Sequence, residues 1–418
     1  MSHDGPVTAE ACDVAVVGGG PSGLALATEL KRRGVGRVVV LERDREAGGV
    51  PRHCGHYPFG VHEFHRLLKG PDYARRHVAT AKAAKVDIRT GVTVTALEEG
   101  GRLCLTSNDG VSELQPRRVA LCTGAREASR AQRFIGGPRQ QGVITTGALQ
   151  AFVYLEGLMP FRRPVILGTE IVSFSSLLTC RHAGIRPAAM IEEQRRITFR
   201  TFARALPAFL GVPVILGASI RRILGQDRVE GVEIADAEGK ARVIEADGVI
   251  CSGRFRPESA LLRSGHLAVD PATGGPIVDQ YGRASDPVYF CAGNLLRPIE
   301  THTWCAREGR ESAQRIADDL ASDGSASAPN TTAIRAAHEA IRYVLPQRLS
   351  ADDVFGAMEH LQIRLARPAR GKLSALVKGE EIWSMPVDSL PERRLLAPLS
   401  ALLPHRGVAT IEITLKKA

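Results

Sequence analysis

Aromatic residues are scarce, 5% of 418 positions. Basic patches interleaved with stacking rings, the platform for single-stranded nucleic acid, have little to be built from. The eight cysteines (Cys12, Cys54, Cys104, Cys122, Cys180, Cys251, Cys291 and Cys305) contain no C-x-x-C pair. That spacing argues against a disulfide scaffold, a zinc ribbon and a sulfur-ligated cluster, and no cysteine follows Cys305. No hydrophobic run approaches the ~18 residues of a membrane-spanning helix. The start, MSHDGPVTAEACD, lacks a basic stretch followed by an apolar one, so the expected compartment is the cytoplasm. Like charges never gather in a block, although Lys and Arg exceed Asp and Glu by 10. A solvated basic surface suits an anionic ligand or an acidic partner protein, and nucleic acid is disfavoured.

What remains is an ordinary globular composition, 44% hydrophobic and 24% charged, long enough for two or three domains. Its organising stretch runs from Asp13 to His56. Val14 to Val17 reads as a buried strand that breaks into Gly18-Gly19-Gly20-Pro21-Ser22-Gly23, and helical spacing follows to Arg33. A second apolar run, Val38 to Leu41, ends on Glu42. This is G-x-G-x-x-G with strand before and helix after, which points to a bound dinucleotide. Gly18 permits the tight turn, Gly20 lets backbone approach a pyrophosphate, and Gly23 lets the helix pack on the strand. The phosphates would sit at the positive helix end, and Glu42 would accept from ribose hydroxyls.

The same grammar repeats. Pro164 to Gly168 is a strand ending in glycine, a helical segment runs to about Ala183, and Ala188 to Ile191 ends on Glu192. Gly18 to Glu42 and Gly168 to Glu192 both span 24 positions. Each unit is followed by short β-like runs and closes on a strand–glycine turn, at Thr123-Gly124 and Ser252-Gly253. Another buried strand ends at Gly293-Asn294, before a helix from about Cys305 to Leu320. The Ser/Ala/Pro-rich tract Ser322 to Asn330 reads as a linker. Beyond it the pattern predicts a helix to about Val344, then a small, mostly antiparallel β module with strands at 362–365, 372–378, 381–385 and 410–416.

Taken together, VVGGGPSGL…VVVLERD, LCTGA, ICSGR and VYFCAGN resemble the pyridine nucleotide–disulfide oxidoreductase superfamily, flavoproteins with two dinucleotide-binding domains. The resemblance implies an α/β fold of two tandem Rossmann-like domains plus the C-terminal β module. Residues 1–130 and 255–322 would hold FAD, 160–254 would form the inserted NAD(P)-type domain, and 331–418 the β module. It assigns FAD contacts to Gly18, Gly20, Pro21, Ser22, Gly23, Glu42 and Arg43, with Gly49, Thr123 and Gly124 at turns and Gly293, Asn294 and Thr301 late in the chain. Asn294 stands where relatives carry a ribityl-binding aspartate. More narrowly, the chain is similar to flavoprotein subunits of amino-acid, opine and glycerol-3-phosphate dehydrogenases. The implied activity is electron transfer through FAD between a small reduced metabolite, or a partner dehydrogenase subunit, and an acceptor. The alternatives are an NADH-dependent reductase of a small acceptor and an electron-transfer or structural subunit.

Three features bear on the chemistry. Cys54, flanked by His53 and His56, sits where disulfide members place a redox cysteine. As a lone cysteine it could be an activated thiol cycling through sulfenic acid, or part of a polar cluster against flavin or substrate. A metal held by these three residues lacks a fourth ligand, so none is expected. The second fingerprint keeps Gly168 and Glu192 as NAD(H) contacts, but Glu170 stands where backbone must meet pyrophosphate. His302 and Trp304 precede a helix and would lie near the flavin, with Trp304 as packing or chemistry.

Overall fold

The computed structural model describes residues 10–322, 331–352 and 356–417. The leader reading at residues 1–9 and the linker reading beyond Ser322 fall outside the described residues. Two compact units emerge. One comprises Met1–Gly49, Ala74–Ala125 and Pro257–Ala418; the other comprises Val50–Tyr73 and Arg126–Arg256. The Cys54 loop, grouped with the first domain by sequence order, thus belongs with the second unit.

In the first unit, β1 (Glu10–Val17) leads through α1 (Pro21–Arg32) to a parallel β2 (Val38–Glu42). Val16 lies beside Val40, and Val17 beside both Leu41 and Leu121. The sheet runs Asp87–Thr90, β2, β1, Gly110–Leu121, Leu103–Ser107, Thr93–Leu97, and Tyr289–Cys291 pairs with Gly110–Leu121 as well. Side chains alternate between two buried faces. Val14, Val16, Val38 and Val40 pack with Leu24, Leu26 and Leu30 of α1 and with Ile316, whereas Ala15, Val17, Val39 and Leu41 meet Leu103, Leu114 and Tyr289. A strand covered on both sides has no polar face, hence the unbroken apolar runs in the sequence.

Gly110–Leu121 is one 12-residue strand, where the sequence pattern suggested two pieces broken near Pro116. Its antiparallel partner covers residues 110–114 and Tyr289–Cys291 covers 119–121. Pro116 falls in the gap between them, where the absent N–H costs no ladder bond on that edge.

The C-terminal residues form a five-stranded and a three-stranded sheet around a core that includes Leu361, Ile363, Leu373, Ile411 and Ile413. The helix expected up to Val344 does not form. Thr331–Ala336 and Ile341–Leu345 are strands, the first pairing with Thr410–Lys417 and the second with His360–Leu365. The alanines suggested helical spacing, but Thr332, Ile334, Ile341 and Tyr343 bury alternately, and pairing partners far along the chain decide the matter. Arg348–Ser350 and Arg394–Pro398 are further strands that the pattern missed.

In the second unit a parallel sheet orders Val214–Leu216, Ala189–Glu192, Pro164–Leu167, Gly248–Cys251 and Val143–Thr145. Its crossover helix is Ile171–His182. A three-stranded antiparallel sheet, Ser219–Leu224, Gly231–Ala235 and Ala241–Glu245, completes it. The fold is therefore two tandem Rossmann-like α/β units with a β-rich C-terminal module. Among the described residues no helix is long and apolar enough to cross a membrane.

Candidate functional site

At the β1–α1 turn the geometry follows the residue types. Gly18 has φ +107°, and a Cβ on it would lie 2.5 Å from the Cys122 carbonyl oxygen. A Cβ on Gly23 would fall 2.0 Å from the Gly18 carbonyl oxygen, so helix and turn are in backbone contact. Gly20, by contrast, faces open space: its Cβ would meet only the Gly49 Cα, at 3.9 Å. Gly20 is also the N-cap of α1, with no capping side chain and no acidic residue in the first turn. Pro21 opens the helix, where its missing N–H is no loss. The remaining first-turn N–H groups and the helix dipole are thus left for an anion.

Glu42 ends β2 and is buried. Its Oε2 accepts from the Gly19 N–H at 2.9 Å and its Oε1 from the Asp44 N–H at 3.0 Å. A carboxylate offers about four acceptor directions, so two remain for the hydroxyls of a ribose. The residues here fit the ADP half of FAD. When bound, FAD supplies hydride and one-electron chemistry; the chain supplies binding and orientation.

The other expected contacts are placed as follows. The Ser22 hydroxyl turns inward to the Cys122 sulfur at 3.7 Å, so Ser22 presents backbone rather than side chain to the turn. Arg43 is exposed. Gly49, at φ +61°, closes over Gly20, with a Cβ position 2.8 Å from the Gly20 Cα. Thr123 donates its hydroxyl to the Glu258 carbonyl at 2.9 Å, and the Gly124 carbonyl accepts from the Glu258 N–H at 2.9 Å. A Cβ on Gly293 would sit 2.8 Å from the Ser22 Cβ, which puts the late motif against the first turn of α1. Thr301 caps the helix His302–Ala321, its hydroxyl accepting from the Trp304 N–H at 3.3 Å. His302 and Trp304 consequently lie inside the helix, in its first turn, and not ahead of it. Trp304 donates Nε1–H to Glu308 at 2.8 Å and lies under Arg394.

Cys54 does not have the surroundings of a reactive thiol. It is buried, with Sγ 3.4 Å from the Val50 carbonyl and 3.6 Å from Gln150 Oε1, both acceptors for a protonated thiol. Burial, reinforced by the Glu127 carboxylate, pushes its pKa up to about 12. His56, expected as an activating imidazolium, is itself pushed down by burial and has Nδ1 3.0 Å from the Tyr57 carbonyl. His53 ends the short 3-10 turn Val50–His53. Among the described residues no group of three or more His, Cys, Asp or Glu side chains could hold a metal ion.

The second turn copies the first in backbone and departs from it in side chains. Gly168 has φ +101°, and Glu192 reaches back to the residue after it, as Glu42 does. That residue is Thr169, at the position of Gly19. Glu192 Oε2 accepts from the Thr169 N–H (3.0 Å), the Thr169 hydroxyl (2.5 Å) and the Thr198 hydroxyl (3.1 Å), and Oε1 from the Gln194 N–H (2.9 Å). Three donors converge on Oε2 and exhaust that oxygen, while Oε1 keeps one acceptor direction beside the Gln194 N–H. Glu170, N-cap of Ile171–His182, lays its carboxyl beside Gly253, with Oε1 accepting from the Arg254 N–H at 3.4 Å. Burial pushes this carboxyl up. Buried Glu127 takes the Gly147 and Gly253 N–H groups at 2.7 and 2.9 Å, and Arg133 donates to the Ser252 and Gly253 carbonyls. These partners had no motif to announce them. Only Thr169 was legible, by laying the second fingerprint over the first.

Comparison with known proteins agrees with this geometry. An opine oxidase subunit of Rhizobium meliloti (strain 1021) is 26% identical over 262 residues, covering 62% of this chain and 56% of that one. The chain thus spans less than two thirds of the length of that relative. The small chain of glutamate synthase [NADPH] from Escherichia coli (strain K12) is 25% identical over 334 residues, covering 72% and 67%. Thioredoxin reductase of T. acidophilum shares the fold, with a TM-score of 0.62 at 21% identity over 75% of this chain and 99% of that one. The model of the pyridine nucleotide-disulphide oxidoreductase family matches residues 12–309, from the first strand past the glycine turns and into the last helix. This chain belongs to that family and is an FAD-dependent oxidoreductase.

Proposed function

We propose that this flavoprotein takes electrons from a small reduced metabolite of the amino- or hydroxy-acid class and passes them to an acceptor other than NAD(P)⁺, working within a larger, multi-subunit dehydrogenase or oxidase. The observation that carries the reading is the contrast between the two acidic residues. Glu42 keeps an open direction on each of its two oxygens for a ligand, whereas Glu192 has Oε2 saturated by Thr169 and Thr198 and one direction left on Oε1 beside the Gln194 N–H. A pyridine nucleotide at the second turn would have to displace those donors and set its pyrophosphate against the Glu170 carboxyl. The opine oxidase and glutamate synthase relatives are components of larger enzymes by name, which supports the multi-subunit reading. In this scheme α1 and Glu42 hold and orient the cofactor, and the second unit serves as scaffold.

The test is anaerobic mixing of the flavin-loaded protein with NADH, NADPH, and a panel of amino, N-alkylated amino and hydroxy acids. Bleaching of the flavin band at about 450 nm is expected with a member of the acid panel and not with either nicotinamide. Rapid bleaching by NADH or NADPH alone would overturn the proposal in favour of a nicotinamide-driven reductase.

A further inference from the structure

Asn294 stands where relatives carry a ribityl-binding aspartate, yet its amide is engaged elsewhere. Oδ1 accepts from the Glu300 N–H at 2.7 Å and Nδ2 donates to the Glu300 carbonyl at 3.2 Å, closing residues 294–300 into a ring. An amide is required for this, because an ionised carboxylate has no donor for a carbonyl. The same segment is tied at its base by Arg297, which is 0% exposed and donates to the Gly293 carbonyl at 2.8 Å and to both Glu308 oxygens.

Glu300 is held in turn by the C-terminal module. Arg364 Nη2 donates to its Oε1 at 2.7 Å and Arg394 Nη1 to its other oxygen. These arginines are directly opposite partners on the antiparallel strands His360–Leu365 and Arg394–Pro398. Like charges opposite each other destabilise a sheet, so the pair makes physical sense only with a carboxylate between them. Arg394 also lies 3.5 Å over the Trp304 ring, and the Tyr343 hydroxyl donates to the Pro298 carbonyl at 3.2 Å. Three side chains of one module, Tyr343, Arg364 and Arg394, converge on the segment whose first residue, Gly293, abuts Ser22 at the start of α1.

We infer that the C-terminal module is a clamp on the cofactor site: Arg364 and Arg394 grip Glu300, and through the Asn294 ring they hold the wall of the site that faces α1. This rests on FAD lying at the α1 turn. Asn294, Glu300, Arg364 and Arg394 are positioning residues, acting through the 293–300 backbone. ADP, which needs only the glycine turn and Glu42, should be indifferent to the clamp, whereas FAD extends past it. The Asn294→Asp variant and the Arg364→Met/Arg394→Met variant are titrated with FAD and, separately, with ADP. Expected is at least about a tenfold rise in the FAD Kd with the ADP Kd within about threefold of wild type, together with an altered bound-flavin absorption envelope. Asn294→Asp weakens FAD even though it restores the family's aspartate. Parallel losses of FAD and ADP, or no loss of either, would overturn the clamp. A wild-type chain that binds neither ligand would overturn the cofactor placement and the clamp with it.

Discussion

Replacing Glu42 by Gln removes one charge and one acceptor while keeping shape. The Gly19 and Asp44 N–H groups each take one oxygen of the carboxylate, at 2.9 and 3.0 Å. An amide has one oxygen, so one of these N–H groups would meet an NH₂ donor, costing about 1 kcal/mol. The two directions left for ribose lose charge assistance, about 1 kcal/mol each. The first cost is common to the free and the loaded protein and lowers stability only, so about 2 kcal/mol bears on binding, an FAD Kd raised about thirtyfold. The assay is titration of the apoprotein with FAD, followed by quenching of flavin fluorescence. Glu192→Gln is the matched control, since it removes an equivalent buried carboxylate from the second turn and should leave FAD affinity unchanged. A Glu42→Gln protein binding FAD within about threefold of wild type would refute the reasoning and reduce Glu42 to a staple of the turn.

Other outcomes follow from the same geometry. Gly23→Ala drives a methyl into the Gly18 carbonyl, and overpacking of about 1–3 kcal/mol should lower the thermal midpoint and FAD retention together. Cys54→Ser should keep flavin reduction by substrate near wild type, and iodoacetamide labelling of Cys54 in the folded protein at pH 8 should be far slower than in urea. Burial, with Arg310 and His302 adding to it, holds His77 down at about 4 from 6.5. Below pH 6.5 the unfolded chain takes a proton that the folded one refuses, so stability falls as pH drops from 6.5 towards 4. Urea titrations across that window should show a shallower decline for His77→Phe.

What was legible in the sequence was whatever depends on near neighbours. The β1–α1–β2 unit could be read because strand, turn and helix are consecutive, and because Gly23 answers to the Gly18 carbonyl within the turn itself. The repeat at Gly168 was legible for the same reason. Illegible were groups defined by distant partners. Glu300 gives no sign that it will sit between Arg364 and Arg394, 64 and 94 positions further on. The histidines flanking Cys54 are visible in the sequence, but its contact with Gln150, 96 positions away, is not. The Thr331–Val344 region misled because alanine-rich local spacing favoured helix, and strands that arrive later in the chain outweigh it.

The difference between the Glu42 and Glu192 acceptor sets also separates the two units in their dependence on the cell. The second turn meets most of its polar groups from within, three donors on Glu192 Oε2 and one on Oε1. The first leaves a helix end and half a carboxylate to be met by a ligand, and its stability is therefore coupled to free cofactor by mass action, about 2.7 kcal/mol at a hundredfold excess over Kd. The stability of the first unit thus reports the supply of flavin. Scarcity of FAD would therefore cost this protein stability as well as turnover.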